Sequence, residues 1–229
     1  MTALFLTRAR LKQVPAMAAL AKLLVPDDGS ERVDAAHRLI WALFSDNADR
    51  KRDFLWRQDK PGEFMALSAR PPNSLHDIFE IEHQAFQPAL AVGDRLRFRL
   101  HANPVVARSA GPGQRGKRHD VVMDALRHVP PGPERAEARL ATVVAAGNAW
   151  LVRQGIAHGF RPLAEAGVDG YEMVRIPRHK QKPLCFSVVD VEGLLEVTDP
   201  PRFLAALAAG FGRSRAFGCG LMLIRRARM

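Results

Sequence analysis

Between positions 94 and 100 the chain reads DRLRFRL: Leu96, Phe98 and Leu100 alternate with Arg95, Arg97 and Arg99. A period of two predicts a strand with one apolar face and one face carrying three guanidiniums. Residues 31–44 follow another rhythm. Val33, Ala36, Leu39, Ile40, Leu43 and Phe44 recur every three or four positions, the stripe of an amphipathic helix. Ser30 suits its N-cap and Glu31 its first turn.

Shorter patterns fill in the rest. Residues 3–11 predict a strand, and 14–24 a short helix or covering segment ended by PDDGS at 26–30. Residues 53–59 and 63–72 flank Lys60, Pro61 and Gly62 and predict a hairpin, followed by a short strand at 78–86. Further on come a helical piece at 121–127, an alanine-rich helix at 134–154, and strands at 160–167, 171–177 and 184–197. Pro200 and Pro201 open a helix to 209, and 220–226 closes the chain as a strand. Each half thus has strands, an early helix and more strands. That order predicts an α+β protein of two split βαβ units. Residues 103–120 and 128–134 are rich in glycine, proline and basic residues. They predict a basic linker at 106–132 between an N-terminal unit (1–105) and a C-terminal unit (133–229).

Charge narrows the choice of partner. The 34 Lys and Arg exceed the 24 Asp and Glu, a formal net charge of +10 that favours a polyanion. A membrane surface is the rival, but no long basic amphipathic segment is paired with lipid-facing aromatics, so nucleic acid is preferred. No run of eighteen apolar residues occurs, and MTALFLTRARLKQ is charged too early for a signal peptide. Cys185 and Cys219 match no zinc spacing. The expectation is a cytoplasmic protein without cofactor or structural metal.

The chemistry gathers at a few places. GFGRSRAFGCG at 210–220 holds four glycines, Arg213 and Arg215, and no carboxylate follows Asp199. A nucleotide loop would need a following helix and an acidic residue about 20 positions on; a phosphate-binding turn fits better. RIPRHKQKP places Arg175, Arg178, Lys180 and Lys182 together, and QRGKRH places Arg115, Lys117 and Arg118 together. With 12 Phe, 3 Trp and one Tyr, stacking platforms are scarce, so the backbone of a structured RNA is the expected target. Among eight histidines, His37 falls at the edge of the helix stripe, with Asp34 one turn before and Trp41 one turn after. That edge suits an exposed imidazole on a rigid element, though helix geometry alone favours a boundary residue without a role. A base, an acid and positive charge suffice to cleave RNA, whose 2′-OH is a built-in nucleophile.

AHRLIWALF at 36–44, RDFLWR at 52–57, RLRFRLHANP at 95–104 and GFGRSRAFGCGLM at 210–222 together resemble the CasE family, the type I-E CRISPR-associated endoribonucleases. The resemblance implies two tandem ferredoxin-like domains. It implies metal-independent cleavage of CRISPR repeat hairpins, leaving a 2′,3′-cyclic phosphate, with the enzyme retained on its product as a subunit of the Cascade complex. It implies His37 as the catalytic residue; Arg38, next to it, is a candidate cation to act with it and an expected RNA contact. RNA contacts are implied at Arg213, Ser214 and Arg215 and at the basic hairpin from Arg175 to Lys182. A non-catalytic subunit capping a guide RNA is the alternative. Some members carry a catalytic tyrosine three residues before the histidine; here that residue is Asp34, and the single tyrosine is Tyr171.

Overall fold

A computed structural model describes residues 3–15, 20, 24–47, 49–75, 77–109, 111, 114, 116–178 and 181–227. Most of the predicted segment at 14–24 lies outside the described residues.

The first sheet joins β1 (Phe5–Leu11), β2 (Phe54–Lys60), β3 (Glu63–Ser68) and β4 (Phe79–Ala85) in the order β2-β3-β1-β4, antiparallel throughout. Helix α1 (Gly29–Phe44) covers one face. Ala36, Ile40, Leu43 and Phe44 sink from the helix onto Ala9, Phe54, Trp56, Phe64 and Phe79. Ile40, Leu43 and Phe44 are fully buried, each burial stabilising by roughly 1.5–3 kcal/mol. The helix starts two residues earlier than expected, and its cap is Asp28: the Asp28 carboxylate accepts from the Glu31 N–H at 3.1 Å.

The second sheet is built from β5 (Arg95–Ala102), β8 (Phe160–Pro162), β9 (Gly167–Arg178), β10 (Gln181–Val197) and β11 (Met222–Arg226). Its order is β11-β5-β10-β8, with β9 also paired along β10. Helices α3 (Pro133–His158) and α4 (Pro200–Ala209) bury Val143, Trp150, Leu151, Phe203 and Leu207 against Leu96, Phe98 and Leu100. In the first sheet β1 lies between β3 and β4, and in the second β5 lies between β10 and β11, with β9 on the far side of β10 and β8 as an added short strand. That is the ferredoxin-like arrangement, present twice. Among the described residues the first unit lacks the second helix, because no helix forms between β3 and β4.

The domain boundaries differ from the expectation. The boundary at 105 cuts too late, since β5 pairs with β10 and β11 and with no strand of the first sheet. Its apolar face needs the α3 and α4 core, which local sequence does not reveal. Nor is 106–132 merely a linker. It holds a hairpin of β6 (Val105–Arg108) and β7 (Lys117–Asp120) followed by the short helix α2 (Val121–Ala125). Asp120 fixes this piece: it accepts from Ser187 Oγ, and from Tyr171 Oη at 3.1 Å. The two units meet through Leu55, Leu67 and Leu221, with Met65, Phe86 and Leu223 packed around them.

Candidate active site

His37 lies on α1 where the helix meets the glycine-rich turn of the other unit. Its ring is half-buried and sits 5.4 Å, centroid to centroid, from Phe217. Phe217 ends a 3₁₀ turn, Arg215–Phe217, and its ring is 5.7 Å from Phe186 on β10. The imidazole opens onto a shallow depression lined by Arg38, Trp41, Ala42, Ser45, Asn47 and Arg50.

Trp41, one turn further along α1, donates its indole N–H to His37 Nε2 at 2.8 Å. An indole only donates, so that nitrogen must be unprotonated and the ring neutral, with its proton on Nδ1. Electrostatics agrees in direction. Burial pushes the imidazole below its ordinary value; Asp34 opposes this, and the charges of Arg52 and Arg38 reinforce it. Asp34 does not orient the ring. Its carboxylate is held by Arg38 at 3.1 Å, and Trp41 does the orienting.

The glycine-rich turn is fastened to the first unit by main-chain carbonyls. Arg52 Nη1 donates to Arg215 O at 2.9 Å and to Phe54 O at 3.0 Å, and Trp56 Nε1 donates to Ala216 O at 3.0 Å. Within its own unit, Asn103 accepts from the Arg213 N–H at 3.1 Å and donates from Nδ2 to Ser214 Oγ at 3.0 Å. Two glycines are required by this packing. A Cβ on Gly210 would stand 2.8 Å from a Leu55 methyl, and one on Gly212 would stand 2.7 Å from the Asn103 carbonyl oxygen. Both have positive φ, 80° and 72°, which side-chain-bearing residues avoid. These glycines serve close approach of protein to protein, whereas sequence reading ascribed them to approach of phosphate.

The predicted cations are distributed unevenly. Arg213 is exposed beside the turn. Arg215 folds inward, donating to Gly212 O at 3.2 Å and Ala209 O at 2.6 Å, so part of its guanidinium holds the turn together. Ser214 has φ 52° and spends its hydroxyl on Asn103. Arg175 and Lys182 are exposed on β9 and β10, the two strands of one long hairpin. Phe186 anchors that hairpin beside Phe217, and Lys182 lies four residues further out, about 13 Å along an extended strand. Arg178 ends β9, its side chain outside the described residues, as are Lys180 and Arg115. Lys117 and Arg118 are exposed on β7, in the separate β6–β7 hairpin.

Sequence reading missed Arg52, Trp56 and Asn103 as site builders. Arg52 and Arg215 are 163 positions apart, and nothing local in RDFLWR announces a partner in the other unit. Among the described residues no three His, Cys, Asp or Glu side chains gather as metal ligands would. Nor, among them, is any helix long and apolar enough to cross a membrane.

A family model described as "CRISPR associated protein" matches residues 4–226. The CRISPR system Cascade subunit CasE of Escherichia coli (strain K12) is 28% identical over 208 residues, covering 89% of this chain and 96% of that one. The CRISPR-associated endoribonuclease Cse3 of Thermus thermophilus is 35% identical over 149 residues, 61% of this chain and 59% of that protein. Among solved structures, CRISPR endoribonuclease Cse3 bound to a 19-nucleotide RNA superposes with a TM-score of 0.68 at 27% identity, covering 98% of this chain and 99% of that one. A match across both ferredoxin-like units, from β1 to the last strand, places the whole described fold in one lineage: the chain belongs to the CRISPR-associated protein family.

Proposed function

We propose that this chain is a metal-independent endoribonuclease that cleaves CRISPR repeat hairpins in precursor RNA. It then stays on the hairpin of the mature guide as a subunit of Cascade, in the cytoplasm. The observation that carries this reading is a neutral imidazole, His37, set on a rigid helix at the seam of two ferredoxin-like units. The Cse3 and CasE relatives support the substrate and the assembly.

The reaction needs little machinery. The ribose 2′-oxygen bonds to the adjacent phosphorus, the P–O5′ bond breaks, and a 2′,3′-cyclic phosphate and a 5′-hydroxyl result. The 2′ proton must leave and the 5′-oxygen must gain one. His37, neutral near pH 7, suits the first task. The β9–β10 hairpin, with Arg175 and Lys182 exposed, extends from the site to hold the stem, and Arg213 flanks the turn.

A single 2′-deoxy substitution 5′ of the scissile phosphate is the direct test. Cleavage of a matching repeat hairpin should stop while binding persists, and cleavage of the all-ribose hairpin should survive excess EDTA. A deoxy substrate cut at normal speed, or loss in EDTA restored by magnesium, would refute the reading. A chain that binds the hairpin and cuts neither form is a non-catalytic cap.

A further inference from the structure

Four arginines stand near His37; two are paired with carboxylates and a third is folded back onto its own turn. Arg38 is held by Asp34 at 3.1 Å and Arg50 by Asp46 at 2.6 Å, while Arg215 folds onto carbonyls of its own turn. Arg52 differs. It is half-buried, and among the described residues no carboxylate pairs with it. The adjacent Asp53 is taken by Arg70 at 2.8 Å. Both hydrogen bonds that Arg52 makes within the protein leave from Nη1, toward Phe54 O and Arg215 O. These carbonyls, one from each unit, hold the guanidinium by Nη1 and leave Nη2 and Nε without a hydrogen-bond partner among the described residues. Burial and the neighbouring Arg215 charge both work against the Arg52 cation. An arginine does not shed its proton to escape this. A half-desolvated cation without a counter-ion is costly, and an anion at that spot offsets the cost.

We propose that Arg52 is a catalytic residue of this site, using its free guanidinium edge to hold the non-bridging oxygens of the phosphate at which His37 acts. This rests on the endoribonuclease reading above. The geometry is suitable: Arg52 grips the same three-residue turn whose Phe217 ring faces the imidazole. The chemistry is too. Negative charge on those oxygens grows as the 2′-oxygen attacks, and a pre-fixed guanidinium stabilises it without rearranging and without exchanging a proton. Arg52 would supply charge where other family members are implied to use a tyrosine. It also keeps His37 in its basic form, because a nearby cation disfavours the imidazolium.

Single-turnover cleavage of a matching repeat hairpin separates this role from a merely structural clamp. Arg52→Gln should lose about 10²–10³ in rate, the usual span for removing one donor to a developing oxyanion. Arg52→Lys should recover part of it. A phosphorothioate at the scissile position should slow the wild type in one diastereomer and leave Arg52→Gln nearly indifferent. The acid limb of the Arg52→Gln rate profile should move to higher pH as His37 becomes easier to protonate. If the glutamine variant fails to fold, the lysine variant carries the same sulfur test. A normal rate in Arg52→Gln, or a slowed one with the sulfur effect and acid limb unchanged, would overturn the inference while His37→Ala still abolished cleavage. A wild type that cuts no repeat hairpin would remove the reading itself, and the inference with it.

Discussion

Trp41 donates its indole N–H to Nε2 of His37 across one turn of α1, at 2.8 Å. The bond holds the ring in one tautomer and occupies the lone pair a general base needs. A 2′-OH that approaches Nε2 must therefore take the place of the indole. The same bond favours neutral over protonated imidazole, adding to the effect of burial.

Trp41→Phe removes the donor and keeps an aromatic ring. The His37 value should then rise toward the ordinary 6.5, seen as a shift in its titration by NMR. The sign carries to stability. As pH falls through 6.5, the unfolded chain takes a proton that the folded chain refuses until lower pH, so the fold loses stability in that window. The variant should lose less there than the wild type. An unchanged or lowered titration point would mean that the indole does not govern the ring.

His37→Ala should cut the rate of hairpin cleavage by about 10²–10⁴, the range for losing a general acid or base. Affinity for the hairpin should hardly move, because a neutral ring contributes no counterion release. Filter binding and single-turnover cleavage on one preparation check both. A parallel fall in binding and rate would assign His37 to recognition.

How far the sequence foretold this site depends on the range of each interaction. His37 was legible because its helix is local: the stripe from Val33 to Phe44 places it without reference to the rest of the chain. The two-unit fold was legible from element order. The arginine-bearing strand β5 was legible as a strand, yet its sheet was not, since Ala102 pairs with Val189 far along the chain. The partner of His37 was not legible, for a different reason. Asp34 and Trp41 are equally near on the helix, and only the Arg38 ion pair decides that the carboxylate is taken. The glycine-rich turn was seen as a turn, but its tight neighbours, Leu55 on β2 and Asn103 just after β5, lie more than a hundred residues earlier.

That turn gives the next prediction. Gly212→Ala puts a methyl group against the Asn103 carbonyl and forces a left-handed backbone on alanine. The backbone term alone costs about 1–2 kcal/mol. For a chain of this size that lowers Tm by roughly 2–8 °C, and the clash adds to it. Gly29→Ala, on the first turn of α1 with nothing within 4 Å of the added group, should leave Tm unchanged or raise it. Equal Tm values for both variants in calorimetry would show that the turn tolerates a side chain and is not clamped as described.

The long hairpin gives the last. Arg175 and Lys182 are exposed on β9 and β10 with no carboxylate of the described residues against either, whereas Arg8 and Arg10 on β1 both lie 3.9 Å from Glu63. Reversing charge at the first pair should therefore weaken the hold on phosphates, and reversing it at the second should mostly disturb a local ion pair. Log affinity for the repeat hairpin should fall linearly with log salt in the wild type. In Arg175→Glu and Lys182→Glu the slope should flatten by about one for each phosphate left without its cation. Affinity at low salt should fall with it, while cleavage at saturating enzyme stays near the wild-type rate because the site around His37 is untouched. Arg8→Glu and Arg10→Glu should keep the wild-type slope. If the β1 pair flattens the slope as much as the hairpin pair does, RNA lies across the first sheet and not along the β9–β10 arm. If neither pair does, the stem is held by cations nearer the glycine-rich turn, where Arg213 is the exposed candidate.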